Sequence, residues 1–291
     1  PKGDEASQLR FGVCSCSYYG FGWFHGYRHM AARAELDAVL HVGDYFFVYG
    51  NGNFPDGDAQ LRPVRPPHGP VTLEDYRTRF SWYRQDEDLQ ECHRQHPFVV
   101  VWDDHETANN SWVGGAENHD EETEGPWEDR KAAGRQAFFE WIPIREDPEN
   151  NPGNELYRTL KYGDLADIIM LDTRIEGREE QGPALVVDPD SPENPQRIIS
   201  AEQEAWFQEQ LSSSTAKWKI VGNQVVMSLW QIVDALSGSI SYANNDQWNG
   251  YPEGRTTMME YIRDNEVSNV VVVTGDVHSS WAMDVTVGDG S

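Results

Sequence analysis

Six apolar runs of this chain end in side chains that bind metals or exchange protons. The runs end at Cys16, Asp44, Asp103–Glu106, Asp172–Arg174, Asn223–Gln224 and Asp276–His278. Each run predicts a buried strand that presents polar groups at its end. If these ends lie on one side of a sheet, the side chains share the crevice where open α/β sheets bind ligands. Carboxylate, imidazole, amide and thiol groups gathered there predict a site for metal ions.

The densest cluster, Asp103-Asp104-His105-Glu106, directly follows four apolar residues and Trp102. Crowded carboxylates repel each other or hold protons, whereas a hard divalent cation collects several oxygen ligands. The cluster therefore predicts metal binding. Asn109 and Asn110 follow closely, and their amides either ligate Ca²⁺ or form ordinary loop hydrogen bonds.

Two strand ends share the pattern Gly-Asp. Gly43 lets the chain turn tightly before Asp44, which either caps a turn or bridges two cations; the other clusters favour the bridge. Gly275 precedes Asp276, and His278 follows two residues later on the same side of an extended chain. That spacing is typical of a chelating pair, and a structural histidine is the alternative.

Cys16 and Arg174 keep two interpretations each. The Cys16 thiolate could select a softer or trivalent metal, although a small buried apolar role is the commoner one for cysteine. Asp172 and Arg174 could form a structural ion pair, or Arg174 could hold phosphoryl oxygens in two-pronged fashion. The chain has no nucleophile elbow, no Walker loop and no dinucleotide-binding glycine turn, which disfavours serine hydrolases, nucleotide triphosphatases and dehydrogenases.

Helical spacing between the runs indicates the elements that position these groups. Helices are predicted over Trp23–Glu35, Leu73–Tyr83, Leu89–His96, Arg130–Trp141, Ala201–Leu211 and Gly254–Asp264, with a capping box at Ser200 and Gln203. Strands that alternate with helices predict a mainly parallel α/β core, and a further strand at Leu156–Lys161 suggests a mixed sheet. Loops are expected at Tyr49–Pro70, Gly114–Trp127, Glu146–Asn154 and Glu176–Pro195. We expect one domain, residues 1–291.

The bulk composition limits the partners. The net charge of -26 and the absence of a basic footprint argue against nucleic acid or an anionic membrane surface. Five lysines in an acidic chain suit a saline, halophilic habitat, with an ordinary solvated acidic face as the alternative. Three cysteines predict no disulfide framework, and no apolar stretch is long enough for a membrane span. The oligomeric state stays open.

The ordered motifs resemble the PhoD-type alkaline phosphatases of the calcineurin-like metallophosphatase superfamily. The resemblance spans nearly the whole chain. It rests on Cys16 with Tyr27-Arg28-His29-Met30, Gly43-Asp44-Tyr45, Trp102–Glu106 with Asn109-Asn110, Leu171–Arg174, Glu202–Trp206, Gly250-Tyr251-Pro252 and Thr274–Trp281. It implies a four-layer αββα sandwich with mixed sheets, and a cluster of Ca²⁺ and cysteine-ligated Fe³⁺ that hydrolyses phosphate esters.

The resemblance also implies roles for individual residues. Cys16 and Asp44 would hold iron, with help from Asp276 and His278. Asp103, Asp104 and Asn110 would serve calcium. Asp44 would also bridge to calcium, and His105 would position phosphate or protonate the leaving oxygen.

This chain departs from the family pattern in two respects. Phe47 stands where the family has its iron-ligating tyrosine, so Zn²⁺ or Mn²⁺ is the alternative to iron. The family's small N-terminal β-domain is absent from this sequence, and its C-terminal strands could continue beyond Ser291.

The leading hypothesis is therefore a secreted or periplasmic alkaline phosphatase that acts on small phosphate monoesters, with some diesterase activity, in phosphate scavenging. One alternative is a phosphodiesterase or phospholipase D-like hydrolase. Another is an acidic calcium-binding module without catalysis.

Overall fold

The structure is a computed structural model that describes residues 7–54, 60–145, 155–182, 186–233, 237 and 240–287. The chain divides into two compact units. The N-terminal unit comprises Gln8–Ser111 and Gly115–Glu155, and the C-terminal unit comprises Pro1–Ser7, Trp112–Gly114 and Leu156–Ser291. That the whole chain forms one catalytic domain stays a prediction.

A three-stranded parallel sheet forms the centre of the N-terminal unit. Its strands, in spatial order, are β1 (Phe11–Cys14), β2 (Ala38–Val42) and β3 (Phe98–Val101). Every residue of β2 is buried, as expected for a strand covered on both faces. Phe11 pairs with Ala38, and Val39 pairs with Phe98, so the three carboxyl ends reach the same edge. The predicted strand ends at Cys16, Asp44 and Asp103 are confirmed.

The described part of the N-terminal unit contains five α-helices: α1 (His25–Ala31), α2 (Leu73–Tyr83), α3 (Glu87–Gln95), α4 (Glu121–Glu124) and α5 (Trp127–Trp141). Helix α2 has its predicted bounds because Thr72 and Asp75 form a reciprocal capping box. Helix α3 begins two residues before its predicted start, since Asp86 caps it. Helix α4 lies in a segment predicted as loop, and the predicted loop at 146–154 lies outside the described residues.

The C-terminal unit contains a mixed sheet. Its spatial order is β10 (Val270–Val273), β7 (Trp218–Gly222), β5 (Ala166–Met170) and β4 (Arg158–Tyr162). The first three strands are parallel and β4 is antiparallel, so the expected α/β class with mixed sheets is confirmed. A second, antiparallel sheet contains β6 (Val186–Val187), β9 (Ile240–Ala243) and β8 (Gln231–Val233). Strand β6 lies in a segment predicted as loop.

Two helices of the C-terminal unit, α6 (Ala201–Ser213) and α7 (Pro252–Asp264), contribute to its apolar core. Ser200 caps α6 as predicted, because its hydroxyl accepts a hydrogen bond from the Gln203 amide at 3.0 Å. The other half of the predicted capping box is wrong. The Gln203 side chain instead exchanges hydrogen bonds with the backbone N–H and C=O of Asp172, at 2.8 and 2.9 Å.

Two expectations about the whole chain are met in the described residues. All three cysteines lie in this part, and none forms a disulfide. Among the described residues, no helix combines the length and apolar character needed to cross a bilayer.

Candidate metal centre

The end of β2 approaches the end of β3 so closely that only glycine fits between them. A Cβ atom placed on Gly43 would lie 2.3 Å from the Asp103 Cβ and 2.6 Å from the Asp103 backbone nitrogen. Gly43 also has a φ of 105°, which favours glycine. The Gly-Asp pattern therefore does bring two carboxylate-bearing turns together.

Three aspartates and one histidine gather at this edge of the N-terminal unit. Asp44, Asp103 and Asp104 each place one carboxylate oxygen within 4.8 Å of the others, and Asp44, Asp104 and His105 do the same with their ligand atoms. All four side chains are buried. The structure thus joins four of the nine predicted site residues in one buried cluster.

Glu106 holds the two turns of this cluster together. One carboxylate oxygen accepts hydrogen bonds from the backbone amides of Asp44 at 3.1 Å and Asp103 at 2.8 Å. The other accepts from the amide of Tyr45 at 2.6 Å. The sequence motif contains Glu106, but only the fold reveals that its partners are backbone amides of both turns.

The electrostatics of the cluster favour a bound cation. Burial raises the pKa of Asp44 well above its usual value, and the neighbouring Cys16, Asp104, Asp103 and Glu106 raise it further. Burial likewise raises the pKa of Glu106 to about 8. Such crowding resists ionisation in the bare protein, whereas a divalent ion reverses the balance by attracting each carboxylate. The donor set of several hard oxygens and one imidazole therefore fits a divalent cation.

Cys16 lies beside this cluster. Its Sγ is within 4.8 Å of an Asp44 carboxylate oxygen, and its side chain is only partly buried. The Cys16 amide donates to the Gly43 carbonyl at 3.1 Å, and the Ser17 amide donates to the Asp44 carbonyl at 2.8 Å. Two turns that hold each other in this way place the thiol against the carboxylate. This position suits the ligand interpretation of Cys16 better than that of a buried apolar residue.

The two asparagines after the cluster have different contacts. The Asn110 amide donates to Asp104 Oδ2 at 2.6 Å, which ties this residue to the cluster. The Asn109 side-chain oxygen accepts a hydrogen bond from the Tyr49 hydroxyl at 2.7 Å. Both side-chain amide nitrogens donate to Glu117, at 2.9 Å from Asn109 and 2.6 Å from Asn110.

The remaining predicted residues lie in the C-terminal unit, where the sequence did not indicate their partners. Asp276 accepts hydrogen bonds from Arg174 Nη2 at 3.2 Å and from Gln247 Nε2 at 2.5 Å. Arg174 also binds Asp246. His278 is exposed after β10. The polar run Asn244–Gln247 could have marked Asp246 and Gln247 as candidate site residues. It contained no indication that Gln247 contacts Asp276. That Asp276 and His278 share metals with the N-terminal cluster stays a prediction.

Unusual backbone geometry marks the predicted ligands in both units. Eight described residues other than glycine have a positive φ, and five of them are predicted site residues: Cys16, Asp44, Asn110, Asp276 and His278. This left-handed conformation costs about 1 kcal/mol or more for a residue with a side chain, and it concentrates at functional sites. Asn, Asp and His adopt this conformation more readily than other residues, so the unusual geometry is most informative at Cys16.

An α/β fold with buried carboxylates at the carboxyl ends of parallel strands defines a class of ligand-binding proteins, and the donor set here fits a cation. Comparison with known proteins narrows the class. A sequence model of the family described as "PhoD-like phosphatase" matches residues 11–290, and the chain belongs to this family.

Two relatives support the assignment. Alkaline phosphatase D of Bacillus subtilis (strain 168) is 37% identical over 289 residues, which cover 98% of this chain and 48% of that protein. A solved structure, "Structure of PhoD", matches with a TM-score of 0.84 and 37% identity, over 96% of this chain and 53% of the other. The present chain thus spans about half the length of the relatives that it matches.

Proposed function

We propose that this protein is a metal-dependent phosphoester hydrolase of the alkaline phosphatase type. The proposal depends mainly on one observation: the ligand atoms of the buried residues Asp44, Asp104 and His105 lie within 4.8 Å of one another after the ends of β2 and β3. Family membership supplies the reaction class, since the matched relative is an alkaline phosphatase. Monoesters are the proposed main substrates, with diesters accepted more slowly.

Asp44, Asp103, Asp104 and Asn110 would hold calcium. Cys16 and Asp44 would hold iron, with Asp276 and His278 as the further ligands. Zn²⁺ or Mn²⁺ could replace iron, because Phe47 provides no oxygen ligand. When bound, such cations supply an activated water and offset the charge that develops on the phosphoryl oxygens.

Residues of the chain itself would orient the substrate and move its protons. The His105 imidazole would protonate the leaving oxygen. Its ring is flanked by Phe47, with centroids 4.2 Å apart, and by Tyr49, at 5.0 Å, so that aromatic contacts on two sides limit its rotation. Glu106 would preserve the spacing of Asp44 and Asp103 through its backbone hydrogen bonds. Arg174 would contact phosphate directly or orient Asp276.

The biological setting is part of the proposal. Export and a role in phosphate scavenging belong to it, and the strongly acidic composition suits a saline medium, where salt screens self-repulsion. Small phosphate esters would be the partners, since no basic footprint for nucleic acid is apparent in the sequence.

Hydrolysis of p-nitrophenyl phosphate and its bis ester tests the function. With Ca²⁺ and Fe³⁺, Zn²⁺ or Mn²⁺ supplied, the wild-type protein should release p-nitrophenol, and Asp44→Ala and Asp104→Ala should each lose at least about a hundredfold in kcat/KM. Asp129→Ala, a change at an exposed residue of α5, should retain wild-type turnover. Calcium binding without any turnover in the wild-type protein would instead support the calcium-binding module.

A further inference from the structure

A row of aromatic rings leads outward from His105 in the N-terminal unit. The Tyr49 ring lies 5.0 Å from the His105 ring, and the Phe54 ring lies 4.8 Å from that of Tyr49. The Phe21 ring follows, 6.1 Å from that of Phe54. Tyr18 contacts the outer pair, with centroids 4.4 Å from Phe21 and 6.4 Å from Phe54. We call Tyr18, Phe21, Tyr49 and Phe54 the aromatic shelf.

The outer part of the aromatic shelf is open to solvent. Phe21 is 40% exposed and Phe54 is 39% exposed, and Tyr49 is partly exposed. Single exposed apolar residues are ordinary, whereas exposed aromatic rings in contact with one another form a small apolar patch that a ligand can cover. Here the rings begin at the histidine that the proposed function assigns to catalysis. Their position therefore points to a substrate and not to an unrelated partner.

Hydrogen bonds fix the loops that carry the aromatic shelf. The Tyr18 hydroxyl donates to the Phe54 carbonyl at 2.7 Å. The Tyr49 hydroxyl donates to Asn109 at 2.7 Å. The turn before Phe54 is held by Gln60, whose side chain donates to Asn51 at 2.5 Å and accepts from the Gly52 amide at 3.0 Å. A preformed surface loses little conformational entropy when a ligand binds, so modest contacts can yield useful affinity.

The charge of the protein indicates why such a surface would be useful. At a net charge of -26, the surface of the protein offers a phosphate ester little electrostatic attraction, whether or not salt screens its field. Stacking on neutral rings adds affinity that depends on neither charge nor salt, and it acts on the part of the ester that carries no charge. Planar aromatic groups match the faces of Tyr49 and Phe54 better than flexible alkyl chains, because a flat ring keeps contact over its whole face.

We propose that the aromatic shelf is a subsite for the leaving group of phosphoesters with a planar aromatic moiety. This inference rests on the proposed function. The phosphoryl group would lie at the acidic cluster, the bridging oxygen near His105, and the aromatic moiety against Tyr49 and Phe54. An aryl alcohol and a nucleoside share this chemistry.

Substrate discrimination tests the subsite. The quantity to measure is the ratio of kcat/KM for 1-naphthyl phosphate to that for ethyl phosphate, with a nucleoside 5′-monophosphate as a second aromatic substrate. Phe54→Ala should lower the naphthyl-to-ethyl ratio roughly tenfold through KM. Phe54→Leu should lower it nearly as much, since leucine is apolar but cannot stack. Trp218→Ala, which removes an exposed ring at the amino end of β7, should preserve the ratio.

Several outcomes would overturn the subsite. One is a Phe54→Ala variant in which neither aromatic substrate loses its advantage over ethyl phosphate, and another is a Phe54→Leu variant in which both keep it in full, which would mean that any apolar group suffices. If the nucleotide alone responds to the substitutions, the aromatic moiety is a nucleobase; if naphthyl phosphate alone responds, it is a simple aryl group.

Equilibrium binding separates this inference from the proposed function. Titration calorimetry with 1-naphthylmethylphosphonate and methylphosphonate requires no turnover. The wild-type protein should bind the naphthyl compound about tenfold more tightly, and Phe54→Ala should lose that difference. Equal affinities would overturn the subsite even in an active enzyme, whereas a clear difference in a protein that hydrolyses nothing would contradict only the proposed reaction.

Discussion

Arg174 and Asp246 form a two-pronged ion pair inside the C-terminal unit, with N–O distances of 2.7 and 2.9 Å. The Arg174 side chain is fully buried, and its Nη2 also reaches Asp276 at 3.2 Å. Arg178 approaches the same Asp246 at 2.6 Å. Asp246 therefore fixes the position of the guanidinium that contacts Asp276.

We predict that Asp246→Asn destabilises the fold by about 3 kcal/mol, because it leaves two buried guanidinium groups facing a neutral amide. Urea unfolding measures the change. Glu91→Gln, which breaks the exposed pair between Arg94 and Glu91, should leave the unfolding midpoint unchanged. A small effect of Asp246→Asn would mean that the network does not stabilise the unit.

Arg174→Lys distinguishes the two roles of Arg174. Lysine keeps the charge but not the planar fork, so a role in orienting Asp276 predicts a loss of metal affinity as well as of turnover. A role restricted to phosphate predicts a higher KM with unchanged metal affinity. Metal titration of the substrate-free protein, followed by steady-state kinetics, separates these results.

Glu106→Gln should lower the affinity of the site for Ca²⁺ about 10- to 100-fold. A neutral amide oxygen accepts hydrogen bonds more weakly than a carboxylate oxygen, and the NH₂ group of the glutamine would face backbone N–H donors. The turns of Asp44 and Asp103, which Glu106 now joins, would therefore separate. Calorimetric titration with Ca²⁺ gives the value. The matched control is Glu128→Gln, at an exposed residue that pairs with Lys131. An unaltered affinity in Glu106→Gln would show that the turns hold their spacing without this carboxylate.

Two histidines, the buried His41 and the partly buried His93, should each contribute a loss of stability in mild acid. Burial lowers the pKa of His41 to about 3, and burial with the nearby Arg84 charge lowers that of His93 to about 3. Since the unfolded values lie near 6.5, only the unfolded chain gains these protons as the pH falls from about 6.5 towards 3. The contribution of each histidine to stability is thus greatest above pH 6.5 and declines below it by about 1.4 kcal/mol per pH unit, while the raised pKa values of Asp44 and Glu106 contribute with the opposite sign.

In the variant His93→Phe, one fewer group takes up a proton on unfolding, so the free energy of unfolding should depend on pH with a different slope from that of the wild type. Phenylalanine can keep the stacking on Phe98, where the centroids are 3.7 Å apart. Tyr45→Phe removes the same hydrogen bond of 2.9 Å but retains the imidazole, so its pH dependence should match the wild type. Urea unfolding between pH 4.5 and 8, with chelator present throughout, provides the slopes. Parallel curves for wild type and His93→Phe would contradict the assignment.

Phe47→Tyr should create a coloured ferric site if iron binds beside Cys16. Phe47 is buried, and its ring lies 5.0 Å from that of Tyr18. A phenol oxygen at this position would restore the ligand that the family resemblance implies. Visible absorption after loading with Fe³⁺ checks the outcome, and Phe46→Tyr, at a neighbouring buried ring that packs on Phe80, is the control. A colourless Phe47→Tyr protein would favour zinc or manganese.

Local sequence patterns predicted the features that depend on local structure. An apolar run predicted the buried strand β2, and helical spacing predicted the helix α2. Gly43 predicted the sharp turn before Asp44. The contacts that assemble the sites were not predictable in this way. Gln203 fits a capping box by spacing, but the fold offers it the Asp172 backbone, 31 residues away, as a buried partner.

The same limit applies to long-range carboxylate contacts. Asp246 binds Arg174 across 72 residues, and Glu106 reaches Asp44 across 62. Hydrogen bonds of this kind depend on the three-dimensional path of the chain, to which neither residue spacing nor composition is sensitive. The family resemblance supplied ligand roles but not these supporting contacts.

The left-handed backbone at Cys16, Asp44, Asn110, Asp276 and His278 has an evolutionary consequence. Glycine would relieve the strain at every one of these positions, so folding alone would favour the very substitutions that delete the side chains. A lineage that no longer needed the reaction should therefore accumulate glycines here and become more robust as it lost its chemistry. The fold itself gives no reason for a thiol, an imidazole or a carboxylate to stand at these positions.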